Sequence, residues 1–268
     1  IDFAVIGEGE LTFLELVHGL CHDTDVRRVP GLAFIDEGGN FVSNDLSKRI
    51  NHVDELPRPA CDLCKVENYF QPNWTFGIGM GRHMPILATR GCPYQCTFCS
   101  NPTMWTTRYM MRNPKEVVDE IEHLVTEYGA DSIDFCDLTA IVKKDWTLAF
   151  CDELKQRNLN ITWQLPSGTR SEALDKETLE AIFETGCRLV TYAPESGSER
   201  TLAAIKKKLR LSSIVESMRL AKTAGHVVKV NLIIGFPDET WWDVVQTIWF
   251  AFKMALRGMD DCSLATFS

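Results

Sequence analysis

The stretch "PILATRGCPYQCTFCS", residues 85–100, opens as a short apolar strand and runs straight into a turn carrying Cys92, Cys96 and Cys99. A strand whose C-terminal end delivers chemically distinctive residues is the arrangement of α/β sheets and barrels, in which sites gather at the carboxyl ends of parallel strands. The residues that follow repeat the pattern. Short apolar runs fall at 85–89, 132–135, 161–165, 189–193, 227–234 and 262–267, and amphipathic helical segments lie between them. "KEVVDEIEHLVTEYG" (115–129) places Val117, Val118, Ile121, Leu124 and Val125 on one face. Asn113 precedes it as a cap, with Pro114 at the first helical position. Further helices are expected in "DWTLAFCDELKQRN" (145–158), "DKETLEAIFETG" (175–186) and "LSSIVESMRLAKTAG" (211–225), with Gly129, Gly186 and Gly225 as C-terminal punctuation. Six strands joined through helices require right-handed parallel crossovers, hence an α/β sheet or partial barrel; the expected fold class is α/β with a partial (β/α)6 TIM-type barrel over residues 85–268.

Residues 1–60 read differently. "FAVIGEGELTFLELVHGL" (3–20) is strand, glycine turn and helix, and "GLAFIDEGGNFVSND" (31–45) is a hairpin bending at Gly38 and Gly39. This is expected to be the C-terminal tail of a separate α/β, Rossmann-like domain. The proline-bearing segment 61–84, entered through "ELPRPACDL", is expected to link it to the barrel. Both ends of the sequence interrupt apolar strand patterns, the expectation for a fragment of a longer chain.

The formal charge of -9 and the scattered basic residues leave no electrostatic footprint for a phosphate backbone, so nucleic acid is not the expected partner. The apolar run from Trp241 to Leu256 is too short and too polar for a membrane span; it is expected to be a core-facing helix. Ten cysteines without a secretory segment ahead of them fit a reducing cytosol, where clustered thiols serve as metal ligands or reactive groups. Three thiolates with a Cys-x3-Cys-x2-Cys spacing stop one short of a closed tetrahedral zinc shell. On a four-iron cubane the same three leave one iron open to a substrate or cofactor. Cys61 and Cys64 are an alternative pair for a second cluster, while Cys136, Cys151, Cys187 and Cys262 read as small buried hydrophobes.

The triad, with aromatic Phe98 just before its last cysteine, resembles the signature of the radical S-adenosylmethionine (SAM) superfamily. The order of "IDFAVIGEGELTFLELV", "DELPRPACDL", "ATRGCPYQCTFCSNPTMW" and "RNPKEVVDEIEHL" is similar to members carrying a cobalamin-binding domain ahead of the barrel, among them the anaerobic magnesium-protoporphyrin ester cyclase and cobalamin-dependent methyltransferases. The resemblance implies a 4Fe-4S cluster on Cys92, Cys96 and Cys99, SAM chelating the open iron, and reductive cleavage to a 5′-deoxyadenosyl radical for methylation or oxidative cyclisation at an unactivated carbon. It assigns Phe98 a backbone contact to adenine, Asp137 the SAM amino group, Arg170 the SAM carboxylate, Glu195 the ribose hydroxyls, and Asn231, Ile233 and Gly235 of "NLIIGFPDE" the flank of the adenine. Asp137 has a second reading, a strand-end carboxylate capping the next turn. The implied cofactors are the cluster, SAM and cobalamin. The implied partners are a small-molecule substrate, lipid-like or porphyrin in character, and an electron donor such as flavodoxin or ferredoxin. An iron-sulfur electron-transfer or redox-sensing module is the competing class; it has no need of a nucleoside cradle.

Overall fold

Residue order along the computed structural model, which describes residues 2–70, 75–169 and 174–267, begins with strand β1 (Phe3–Val5) and helix α1 (Gly9–Cys21). Strands β2 (Leu32–Ile35) and β3 (Phe41–Ser43) follow, and β1, β2 and β3 form a three-stranded antiparallel sheet. The β2–β3 bend is the expected one. Asp36 accepts from the Asn40 backbone at 2.8 Å, and Gly39 takes a left-handed φ of 81°. Leu16, Val26 and Leu32 form a small core of their own beneath this sheet.

Residues 53–69 contribute only single 3-10 turns. The second sheet then begins with β4 (His83–Ile86), followed by the two-residue strand β5 (Thr89–Arg90), the short helix α2 (Asn101–Met104) and β6 (Met110–Met111), which pairs antiparallel with β5. Next in the chain come α3 (Pro114–Tyr128), β7 (Ser132–Phe135), α4 (Lys144–Arg157), β8 (Thr162–Thr169), α5 (Lys176–Glu184), β9 (Cys187–Glu195), α6 (Glu199–Ala204), α7 (Leu211–Ala224), β10 (Val227–Ile234), α8 (Trp241–Ala255) and β11 (Asp261–Thr266). Strands β4, β7, β8, β9, β10 and β11 lie side by side in chain order, every neighbouring pair parallel. Each expected strand is present. The first, expected over 85–89, forms two residues earlier and stops at Ile86, because Thr89 and Arg90 leave the large sheet to pair with Met111 and Met110.

Helix boundaries follow local chemistry. The Asn113 side chain accepts from Lys115 N at 3.0 Å to cap α3, which Gly129 ends in the left-handed conformation. Asp175 caps α5 through Thr178 N at 2.9 Å. Buried Val117, Val118, Ile121 and Leu124 of α3, Phe150 and Leu154 of α4, Leu179 and Ile182 of α5 and Ile214 and Met218 of α7 meet one face of the sheet. That face presents Met84, Ile86, Ile133, Phe135, Trp163, Leu165, Val190, Tyr192, Val228, Val230 and Leu232. Alternation along a strand sends the intervening side chains to the opposite, concave face. There His83, Asp134 and Gln164 meet in one polar network. Gln164 Nε2 donates to Asp134 Oδ1 (2.6 Å), Thr75 Oγ1 (3.1 Å) and Ile78 O (3.2 Å), its Oε1 accepts from Ile78 N (2.9 Å), and His83 Nδ1 lies 2.9 Å from Asp134 Oδ1. Residues 75–78 thus fill the N-terminal end of the concave face. Gly77 is needed there, since a Cβ would lie 2.0 Å from Gln164 Oε1.

Helix α8 corrects the expectation for the Trp241–Leu256 run. Asp243, Thr247, Phe250 and Met254 face inward, whereas Trp241, Trp242, Val245, Ile248, Trp249, Phe252 and Leu256 are exposed. Among the described residues no helix is long and apolar enough to cross a membrane.

Candidate functional site

The cysteine turn occupies residues 91–100 at the C-terminal end of the parallel sheet, between β5 and α2. Gly91 allows the chain to fold back tightly, with φ at 78° and a position where a Cβ would come within 2.3 Å of Arg108 O. Asn101, buried at the start of α2, ties both ends of the turn together: Nδ2 donates to Cys92 O (3.0 Å) and to Thr106 O (3.1 Å). Its backbone N–H points at Cys99 Sγ (3.5 Å), and Cys99 N donates to Cys96 O (3.2 Å). All three thiols are half-buried and outside any disulfide. Among the described residues no three His, Cys, Asp or Glu side chains close on a single ion. Three soft sulfurs spaced around a turn, with a peptide N–H aimed at one of them, are a donor set suited to a multi-iron cluster.

Beside the turn lies a cavity of about 230 Å3 bounded by Phe98, Ile205, Phe236, Glu239 and Phe267. The rings form a file, Phe98 to Phe236 at 5.7 Å and Phe236 to Phe267 at 5.3 Å between centroids, and Ile233 packs against the same cluster. Glu239 shapes the loop after β10, its Oε2 accepting from Gly235 N (2.6 Å) and Phe236 N (3.3 Å), while Gly235 holds a left-handed φ of 88°. Asn231, assigned to the flank of the adenine, does not line this cavity, and its buried Oδ1 has no partner among the described residues.

Glu195 ends β9 in a left-handed conformation, φ 70°, that glutamate rarely adopts. The turn after it enforces this. Gly197 N donates to Thr247 Oγ1 (3.0 Å), Ser196 Oγ lies 2.9 Å from the same hydroxyl, and Ser198 Oγ donates to Asp243 (2.6 Å). Arg200 holds Asp243 from the other side. Glu195 is thereby turned back beneath the cysteine turn, where Lys207 Nζ meets its Oε1 at 2.8 Å and stands 5.8 Å from the Phe98 ring. Burial pushes the Glu195 carboxyl above its ordinary range, against the pull of Lys207.

The other assigned positions are placed as follows. Asp137 is buried, with Oδ2 accepting from Ala88 N (3.2 Å) and Oδ1 from Thr89 Oγ1 (2.5 Å), so it ties down the segment between β4 and β5 rather than the turn that follows it. Burial pushes its carboxyl up to about 6. Arg170 lies outside the described residues. Cys151 and Cys187 are buried as expected, but Cys262 is only half-buried on the edge strand β11, and so is Cys136. It borders a second cavity of about 450 Å3 that follows the free edge of β4 past Pro85, Leu87 and Leu56. Burial pushes its thiol up to about 11.

A contact between the two sheets was not foreseen. Glu8, buried at the start of α1, accepts from Ile50 N (2.7 Å) and faces Arg49 Nε (3.2 Å) and Arg90 Nη1 (3.4 Å). Glu10 also pairs with Arg90, whose guanidinium lies 5.2 Å from the Trp105 ring centre. The Gly7–Glu10 turn therefore grips the foot of the cysteine turn. The acidic pair two residues apart was the available signal; its target, Arg90, is eighty positions away in sequence.

Fold and site together define a parallel α/β protein with a three-thiol turn and an aromatic-lined cavity at the carboxyl ends of its strands. Residues 86–251 match the model of the radical SAM superfamily, and the chain belongs to that family. Membership brings the family's two cofactors, a 4Fe-4S cluster and SAM. The chain is 34% identical over 254 residues to an uncharacterized methyltransferase of Pyrococcus horikoshii, covering 95% of this chain and 53% of that protein. It is 31% identical over 246 residues to the anaerobic magnesium-protoporphyrin IX monomethyl ester cyclase of Cereibacter sphaeroides, covering 90% and 39%. It thus spans about half the length, or less, of these relatives. Among solved structures, the cobalamin-dependent SAM radical enzyme OxsB with aqua-cobalamin bound superposes with a TM-score of 0.75 at 18% identity, over 92% of this chain and 36% of that one.

Proposed function

We propose that this chain holds a 4Fe-4S cluster on Cys92, Cys96 and Cys99 and binds SAM in the adjoining aromatic cavity, as the radical-generating part of an enzyme that methylates or oxidatively cyclises a small molecule at an unactivated carbon. The observation that carries the reading is the juxtaposition of three half-buried thiols with a cavity whose wall supplies the rings of Phe98, Phe236 and Phe267 and the carboxylate of Glu239. Held by these three thiols and reduced, the cluster would supply the one-electron reduction of the SAM sulfonium that opens radical chemistry.

The protein's own part is to bind, orient and exclude water. Phe98, Ile233 and Phe236 cover an adenine face. Glu195 accepts from ribose hydroxyls, and its left-handed backbone fixes the carboxylate without a hinge. Asn231 Oδ1 accepts a donor from the nucleoside, which relieves an otherwise unmet buried acceptor. Arg170 takes the SAM carboxylate as a bidentate partner, in keeping with the family. Asp137 holds the turn that carries the cysteines in place of gripping the amino group.

Residues 1–60 are read as the end of a cobalamin-binding domain, supported by the likeness to OxsB and by the grip of Glu8 and Glu10 on Arg90. The substrate is a small molecule of lipid-like or porphyrin character, the reductant a flavodoxin or ferredoxin, and the compartment a reducing cytosol. Anaerobic reconstitution with iron and sulfide, followed by dithionite and SAM, is expected to yield 5′-deoxyadenosine, and Cys96→Ala to abolish it. Undiminished product from the Cys96→Ala protein would refute the cluster assignment. A reconstituted cluster whose spectrum ignores SAM would favour an electron-transfer module instead.

A further inference from the structure

The cavity of about 450 Å3 along the free edge of β4 falls within the roughly 300–1,000 Å3 of small-molecule sites. Leu56, Pro57 and Pro59 of the linking segment and Pro85 and Leu87 of the sheet edge supply apolar wall, and Cys136 adds a thiol. Thr89 and Arg90 line it too, so the cavity reaches the strand that runs directly into the cysteine turn. A further strand is a poor fit here. Pro85 lacks an N–H, and the Leu87 carbonyl already accepts from Arg112 Nη1 at 2.9 Å, which leaves the edge few groups to pair. Charge separates one side chain from the rest. Arg90 pairs with Glu8 and Glu10, and Arg112 with Asp54 and Glu120. Arg58, also on the cavity wall, has no ion pair among the described residues, so one positive charge stands unmatched beside apolar surface. Its mount is stiff: Arg58 lies between Pro57 and Pro59, whose rings fix their own φ and hold the residue before Pro59 extended. The backbone that presents the guanidinium is thus ordered in advance of binding.

We propose that this cavity takes the apolar body of the substrate and Arg58 its anionic end, so that the substrate class is an apolar carboxylic acid. The inference rests on the function proposed above in calling the occupant a substrate; the binding itself rests on the cavity alone. One unmatched cation, with the carboxylates of Glu10 and Glu120 on the same wall, selects a monoanion and so a carboxylate over a phosphate. The planar guanidinium fork meets a carboxylate through two parallel hydrogen bonds, which fixes the orientation of a molecule whose body is held by non-directional contacts.

The test uses the anaerobically reconstituted protein with laurate as the probe, and 1-dodecanol and dodecyl phosphate beside it, each titrated calorimetrically. Laurate should bind, and the other two about 10-fold more weakly. Arg58→Gln, at an exposed position, should weaken laurate about 10-fold and leave dodecanol unchanged. Leu87→Asp should weaken both. Saturating laurate should also slow alkylation of Cys136 by iodoacetamide, read by peptide mass, while Cys21, exposed at the end of α1, reacts at its former rate. Laurate binding the Arg58→Gln protein as tightly as the unmodified one, or a Cys136 rate that ignores laurate, would overturn the inference and leave the proposed function standing. Dodecyl phosphate binding as tightly as laurate would overturn the choice of a carboxylate. Absence of 5′-deoxyadenosine with dithionite and SAM, in protein that still binds laurate, would overturn the proposed function and the occupant's standing as its substrate.

Discussion

Replacing Glu8 with alanine removes a carboxylate whose side chain is 2% exposed and which serves three partners at once: Ile50 N, Arg49 and Arg90. Breaking a buried ion pair from one side leaves the other charge uncompensated and costs about 3 to 5 kcal/mol. Arg90 keeps Glu10, and Arg49 keeps the Thr106 hydroxyl at 2.9 Å, so the lower end applies, roughly 3 kcal/mol. For a chain of this size that corresponds to a fall in Tm of about 6 to 12 °C. Glu8→Gln keeps an acceptor for Ile50 N and should lose about half as much. Urea denaturation followed by tryptophan fluorescence measures the loss. A double-mutant cycle with Arg90→Ala isolates the pair term, expected to exceed about 1 kcal/mol. Amide exchange across residues 91–100 should quicken in the same variants, because Arg90 lies two positions from Cys92. Stability within about 0.5 kcal/mol of the unmodified protein, or a null coupling term, would refute the idea that the Gly7–Glu10 turn braces the cysteine turn.

Asp137, raised by burial to about 6, binds its proton more tightly folded than unfolded. Its contribution is therefore greatest below the unfolded value near 4 and declines as pH rises through 6, by roughly 3 kcal/mol in all. In Asp137→Asn that decline should vanish, and parallel pH profiles for both proteins between 4 and 7 would count against it. Glu195→Gln should weaken SAM binding about 10-fold or more, by equilibrium dialysis, without altering iron content, and unchanged affinity would remove Glu195 from the cradle. Gly77→Ala drives a methyl into Gln164 and should destabilise by about 1 to 3 kcal/mol. Much of that loss should disappear when Gln164→Ala makes room; simple additivity would contradict the contact.

The strands and main helices were legible because each carries a strong local signal: apolar runs of the right length, Asn113 and Pro114 at one helix start, Gly129 at its end. The cysteines were legible through spacing alone. What the sequence hid depends on distant partners. His83, Asp134 and Gln164 are ordinary polar residues in isolation, and only parallel pairing in register brings them onto one face, where Thr75 joins them from a loop. Lys207 sits in a basic run that reads as solvated surface, yet a left-handed Lys206 rotates it inward. In α8 the wide apolar circumference suggested burial, but the capping box of Thr240 and Asp243 and the anchoring of residues 196–198 fix which side turns inward, and it is the side bearing Asp243 and Thr247. Asp137 carried two readings because a carboxylate at a strand end looks the same whether it awaits a ligand or ties down a neighbouring backbone.

Residues 75–78 tie a loop to the amino ends of β4, β7 and β8 through Gln164, Asp134 and His83. The polar groups on that floor are spent on one another, so ligand-binding chemistry is left to the opposite, carboxyl ends of the strands, where the cysteine turn sits.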